Sequence, residues 1–203
     1  MIDWSYLLAV ALFAFVMSGT PGPNNIMLLA SGAQFGFIRT LPHMLGISVG
    51  VATLVTAVLL GVGGLFLWYP PLYVLLKWLG GAYLLFLAWK IASAPVTNFS
   101  QEQTAKSEPM RWWQAALFQF VNPKAWMMAI SAISTFAIPG ELYAQSGIWI
   151  VCVFTCVNLP TISIWVGLGT SIRRLLTNVK RQRIFNIVMG VVTGLTLIMI
   201  VID

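Results

Sequence analysis

Charge is scarce in this sequence, and negative charge is scarcest. Only 8% of the 203 residues are charged, and five Asp and Glu stand against eleven Lys and Arg. A soluble globular domain carries about 25% charged residues, so a soluble fold is excluded. With 59% hydrophobic residues and a mean hydropathy of +0.89, the chain belongs in a bilayer. A net charge of +6 would otherwise suggest nucleic acid as a partner. Here the basic residues sit in short loops between apolar runs, which is a signature of membrane topology. The length suits one bundle of several spans and leaves no room for a separate soluble domain.

Other absences narrow the chemistry. Histidine occurs once, at His43, and cysteine twice, at Cys152 and Cys156. A zinc site needs more ligands than that, so neither metal nor cofactor is expected. The two cysteines stand four apart on one helix face, where disulfide geometry is poor, and are expected to be separate small apolar fillers. No Asp or Glu falls inside any apolar run. That removes paired carboxylates and a carboxylate proton relay, and no Ser-His pair is available within the spans, so the chain is not expected to be an enzyme. A site for a basic side chain would carry a carboxylate counter-charge, so a small neutral amino acid fits better. No nucleotide-binding loop is present to couple ATP. A cleaved signal peptide is not expected either, because Asp3 occupies the basic n-region and no small-residue cleavage site closes the first run.

Six apolar stretches are each long enough for a core of about 30 Å: Trp4–Phe37, Pro42–Trp68, Pro71–Ile91, Trp112–Ile138, Gly147–Leu168 and Ile184–Ile202. The first would reach roughly 50 Å as one straight helix, so a tilt or a break is required. With the N-terminus outside, Arg39, Lys90, Lys106, Arg111, Arg173, Arg174, Lys180, Arg181 and Arg183 all fall on the cytoplasmic side. Asp3, Glu141 and Asp203 face outward, which satisfies the positive-inside rule and places both termini outside. Lys77 and Lys124 alone remain within spans, and Lys77 is close enough to a span end to snorkel. Trp4, Trp68, Tyr69 and Trp149 are expected at the outer interface and Trp89, Trp112 and Trp113 at the inner one, as anchors.

The expected organisation is a single all-α transmembrane domain over residues 1–203. A first repeat (1–92) and a second (112–203) are joined by a polar cytoplasmic linker (93–111). Three spans per half make the halves inverted repeats, with spans 1 and 4 broken. Gly32/Gly36, Gly46/Gly50 and Gly190/Gly194 are read as helix-packing pairs.

The breaks carry the chemistry. Thr20-Pro21-Gly22-Pro23-Asn24-Asn25 interrupts span 1, and Asn122-Pro123-Lys124 interrupts span 4 near the midplane. Proline lacks an N–H and displaces the carbonyl four residues back. Met17, Gly19 and Gln119 are therefore expected to offer unpaired carbonyls to an ammonium group. The half-helix restarting after Pro23 presents N–H groups and a positive dipole end to a carboxylate. Asn24, Asn25 and Asn122 add donors and acceptors, and Lys124 adds a positive charge. Pro21, Gly22, Pro23, Asn24, Asn25, Asn122, Pro123 and Lys124 are thus the expected substrate site. His43, Gln119, Asn158 and Thr161 are candidates for the cavity or a gate, with Pro160 and Ser163 completing a polar, kinked patch in span 5. The alternative is that the prolines only kink helices, that the asparagines cap or glue them, and that an interfacial His43 is merely solvated.

The first motif, together with Lys77-x-x-Gly80-x-x-Tyr83-Leu84 and Asn122-Pro123-Lys124, resembles the LysE/RhtB family of bacterial amino-acid exporters. Ala88–Ala92, Phe118–Asn122 and Ala132–Phe136 look closest to a subgroup that exports cysteine and O-acetylserine. Pro123 and Pro160 depart from that subgroup. The resemblance implies secondary efflux of small neutral amino acids or derivatives across the bacterial inner membrane, driven by the proton-motive force. Its partners would be the amino-acid substrate, protons and the lipid bilayer, with no nucleic acid; homo-oligomerisation is an option that no residue decides. Two other classes compete. A transmembrane thiol-disulfide carrier would depend on Cys152 and Cys156, and a non-transporting membrane scaffold would be indifferent to Asn24 and Lys124.

Overall fold

The computed structural model describes residues 2–96 and 108–202. Most of the expected linker, with Lys106, lies outside them. Among the described residues every regular element is helical. The elements are α1 (Trp4–Gly19), α2 (Pro23–Phe35), α3 (Phe37–Leu59), a one-turn α4 (Leu65–Trp68), α5 (Pro71–Ala92), α6 (Trp112–Val121), α7 (Pro123–Phe136), α8 (Tyr143–Arg173) and α9 (Val179–Ile202).

The boundaries follow local chemistry. Asp3 caps α1, its carboxylate accepting from the Tyr6 N–H at 2.9 Å and the Ser5 hydroxyl at 2.8 Å. These bonds to the charged form hold the exposed Asp3 carboxyl below its usual range. α2 and α7 each begin on a proline, Pro23 and Pro123, at a first-turn position where the missing N–H is harmless. α1 and α2 meet at a bend of 64°, the break the first apolar stretch required. Gly36 then turns the chain into α3 with φ +82°, a left-handed conformation that favours glycine.

By length and composition α3, α5 and the stretch Gly140–Arg173 can each cross a membrane, and the bent pair α1–α2 makes a fourth candidate. Several expected boundaries shift. α3 begins at Phe37 with Pro42 inside it and ends at Leu59, α8 runs from Tyr143 to Arg173 unbroken through Pro160, and α9 begins at Val179.

Packing is organised around α3 and α8, which touch each other. α1 and α2 pack on α8, α6 and α7 pack on α3, and α5 pairs with α9. Glycines set the closest approaches: Gly46 lies on the Trp112 carbonyl, Gly50 near that of Ala116, Gly32 on that of Val166 and Gly190 near that of Ala88. The Gly46/Gly50 and Gly190/Gly194 faces thus lie at helix contacts. Gly36 is different, because it belongs to the turn after α2 and not to a helix face.

Cross-contacts define the two ends of the bundle. Gly36 lies beside the Arg173 guanidinium, and Arg183 donates to the Ala92 carbonyl at 3.4 Å. The α2–α3 turn, the α8 C-terminus, the α5 C-terminus and the α9 N-terminus, with their arginines and lysines, therefore gather at one end. At the other, Tyr6 donates to the Phe136 carbonyl and Tyr143 to that of Leu59, each at 2.9 Å. The anchor aromatics Trp4, Trp68, Tyr69, Trp89, Trp112, Trp113 and Trp149 are all exposed.

Two expectations are corrected. Cys152 and Cys156 are free and exposed, because α8 turns Phe154, Asn158 and Thr161 inward on the opposite face. They are not core fillers. His43 is only 2% exposed rather than solvated at an interface, since the inward face of α3 carries it.

Candidate functional site

The two breaks meet through Lys124. Its ammonium donates to the Thr20 carbonyl at 2.8 Å, the Thr20 hydroxyl at 2.9 Å and the Pro21 carbonyl at 3.2 Å. Three acceptors satisfy the three donors of an ammonium. Thr20 is extended, with φ −62° and ψ 143°, which swings these carbonyls out of the helical ladder. Gly22 makes room for the lysine stem, since a Cβ there would lie 2.9 Å from Lys124 Cδ and Nζ.

The asparagines tie the surrounding helices together. Asn25 Nδ2 donates to the Ser18 and Thr20 carbonyls, each at 2.8 Å. Asn24 and Gln119 pair reciprocally, Asn24 Nδ2 to Gln119 Oε1 at 2.8 Å and Gln119 Nε2 to Asn24 Oδ1 at 3.2 Å. Gln119 Nε2 also donates to the Ala115 carbonyl at 2.9 Å. Asn158 Nδ2 donates to Ser18 Oγ at 3.1 Å and its Oδ1 accepts from Ser48 Oγ at 2.9 Å, joining α1, α3 and α8. Ser18 and Ser48 were not singled out from the sequence. Their signals were slight: Ser18 precedes the first break by two residues, and Ser48 lies between two packing glycines.

The carbonyls expected to be unpaired are paired. That of Met17 accepts from the Thr20 hydroxyl at 3.0 Å, that of Gly19 from Trp165 Nε1 at 3.1 Å and that of Gln119 from the Asn122 N–H at 3.3 Å. A buried carbonyl without a donor costs about 1–3 kcal/mol, and nearby donors remove that cost. Among the described residues the unmet groups lie elsewhere. Asn122 Oδ1, both ring nitrogens of His43 and Gln34 Nε2 are buried without a hydrogen-bond partner.

An open cleft lies between the breaks. Gly22, Asn24, Asn25, Asn122, Lys124, Asn158 and Ser18 form its polar wall. Met17, Ile47, Val51, Ala125, Met128 and Ile162 form its apolar wall. Pro21, Pro23, Pro123, Gln119, Thr161 and His43 are not part of this lining. The prolines flank it, and Gln119 holds Asn24 from behind. Thr161 donates to the Val157 carbonyl of its own helix at 2.7 Å. His43 stands one turn from Ile47 on the same face of α3, toward the basic end of the bundle.

The arrangement suits a small zwitterion. Asn122 Oδ1 is a buried acceptor without a partner, its residue and the cation Lys124 line the same cleft, and the first turn of α2 leaves its leading N–H groups without intrahelical acceptors.

The LysE type translocator family matches residues 15–202. A cysteine/O-acetylserine efflux protein of Salmonella typhimurium is 36% identical over 137 residues, which cover 67% of this chain and 64% of that protein. The protein of the same name from Escherichia coli K12 is 34% identical over 149 residues, 73% of this chain and 69% of its own. The chain thus spans 64% of the length of the Salmonella relatives it matches. No solved structure matches.

Proposed function

The chain belongs to the LysE type translocator family, and from that premise we propose that it exports small neutral amino acids or their derivatives from the bacterial cytoplasm across the inner membrane. Family members move solutes and are not enzymes. The relatives' names supply the first substrates to try, cysteine and O-acetylserine. The observation that carries the reading is the cleft itself, where two broken helices bring Lys124, Asn122 and the first turn of α2 to one place.

A six-span, two-repeat topology follows naturally, with repeats 1–92 and 112–203 and both termini outside. Exchanging α1, α2, α3 and α5 for α6, α7, α8 and α9 turns the α1–α8 contact into α6–α3, and α2–α8 into α7–α3. It maps α3–α8 and α5–α9 onto themselves. A pseudo-two-fold axis through the cleft accounts for this pattern, and inverted repeats provide one. Arginines and lysines at one end of the bundle support placing that end in the cytoplasm. Alternating access would then rock the repeats about the cleft. With no carboxylate in any span, coupling to the proton-motive force would fall to His43, to Lys124 or to no side chain at all.

The thiol-disulfide reading is disfavoured by the outward position of both cysteines, away from either break. The scaffold reading leaves the cleft without a purpose. The test is export from cells overproducing the chain, with every amino acid and O-acetylserine quantified in the medium against an empty vector. The expected result is a rise in one or a few neutral species, lost with Lys124→Met. No rise in any species sinks the exporter reading.

A further inference from the structure

Resting on the exporter reading, we propose that Lys124 is a tethered stand-in for the substrate's own ammonium group, displaced by the substrate and then paired with the substrate's carboxylate. The first break forms an ammonium cage from three neutral acceptors, the Thr20 carbonyl, the Thr20 hydroxyl and the Pro21 carbonyl, all within 3.2 Å of Lys124 Nζ. An α-ammonium group has the same charge and the same three donors as the lysine ammonium. The cage therefore recognises both alike.

Three observations favour exchange over a permanent brace. Lys124 and Gly22 both line the open cleft, and Thr20 and Pro21, which form the cage, are themselves exposed, so a solute reaches the cage where a simple brace would be packed over. Asn122 Oδ1, of a residue on the same cleft, has no donor; a Lys124 driven out of the cage needs new acceptors and can supply one. The lysine stem runs against Gly22, which has no side chain to trap it. Lys124 is thus free to swing on its four-carbon stem.

Charge conservation gives the exchange its selectivity. A zwitterion puts its ammonium in the cage and hands its carboxylate to the displaced Lys124, so no charge is left unpaired at membrane depth, where an unpaired charge is costly. An amine alone would strand Lys124 beside a second cation. A carboxylic acid alone leaves the cage filled by lysine. The site thereby requires both groups on one small molecule without any acidic side chain of its own.

The test uses matched probes: L-cysteine, cysteamine, which lacks the carboxylate, and 3-mercaptopropionate, which lacks the amine, with serine, ethanolamine and 3-hydroxypropionate as a second set. Competition is measured against whichever amino acid the wild-type protein transports in proteoliposomes. In wild type, amine and acid should each compete at least about tenfold more weakly than the amino acid, the factor expected for one lost charge-assisted bond. In Lys124→Met, which no longer transports, binding is read directly as ligand-induced thermal stabilisation, and the order should invert: the cage is empty, amino-acid binding falls, and the amine binds at least about tenfold more tightly than it binds wild type. A Lys124→Met protein that keeps the wild-type melting profile yet gains nothing for amines makes Lys124 a brace and ends the proposal. If that variant does not fold, wild type decides, with ethanolamine and acetate added together. Competition beyond the sum of each alone supports exchange, and simple additivity overturns it. Wild type that transports no neutral amino acid at all is a failure of the exporter reading instead.

Discussion

The two helix breaks differ in what they contribute, and the shorter one carries more of the open chemistry. The first spends two prolines, a glycine and a 64° bend, yet its carbonyls are taken by Lys124, Asn25, Trp165 and the Thr20 hydroxyl. The second leaves only Asn122 between α6 and α7, and it delivers both the charge and the unpartnered acceptor. The lesson is that a proline break frees carbonyls only from their helix. Whether they stay free depends on donors from other elements, and a hydrocarbon setting favours structures that provide them.

The supports of the two breaks differ as well, and glycine substitutions separate them. Behind the second break stands Gly80 of α5, where a Cβ would collide with the Val121 carbonyl and sit 3.3 Å from Pro123 Cδ. Against the first stands Gly22, whose added Cβ would first meet the flexible Lys124 side chain. Gly80→Ala is therefore expected to be the most damaging change, destabilising by about 3 kcal/mol through backbone overpacking, with little folded protein recovered from detergent. Gly22→Ala should keep its melting temperature within a few degrees while transport falls, because only Lys124 has to move. Equal thermal loss in both variants would erase the distinction between a backbone seat and a side-chain seat.

How much of this was legible beforehand depends on the range over which each cause acts. The all-helical class, the two breaks and the glycine faces Gly46/Gly50 and Gly190/Gly194 follow from residues within a turn or two of each other, and so could be read. The linkage of the breaks could be anticipated only as a meeting of two polar spots. The partners could not: Asn24 finds Gln119 across 95 residues, Asn158 finds Ser18 across 140, and Ser48 finds Asn158 across 110. His43 was misplaced for a related reason. Its position near a span end suggested water, whereas burial is decided by which helices pack on that face of α3. The cysteines erred the other way, since small size suggests filling but says nothing of which side of α8 faces in.

Amide partners provide a finer comparison of the breaks. Asn25 serves the first break alone, through the Ser18 and Thr20 carbonyls, whereas Asn24 reaches α6 through Gln119. Asn25→Ala should destabilise by about 1–3 kcal/mol, the penalty for buried acceptors left without donors. Asn24→Ala should cost less, because Gln119 keeps the Ala115 carbonyl, whereas Gln119→Ala removes that bond together with the Asn24 pair. Their double-mutant cycle should show a coupling of about 1 kcal/mol, read from thermal unfolding in detergent. A coupling indistinguishable from zero would mean that the amide pair does not join the two halves energetically.

The smallest effect is expected where the molecule faces away from both breaks. Cys152→Ala with Cys156→Ala removes two exposed, unpaired thiols from α8, the same helix whose other face holds Asn158 against Ser18 and Ser48. Surface substitutions away from caps and packed contacts stay within about 0.5 kcal/mol, so melting and amino-acid export should both match wild type. The comparison is informative because it keeps the helix constant and changes only the face. If transport needs the cleft, the cysteine-free protein works and an Asn158→Ala protein does not. If electrons move through the thiols, the order reverses. Export measured on these two variants side by side therefore separates a solute pathway from a redox one with α8 itself as the internal control.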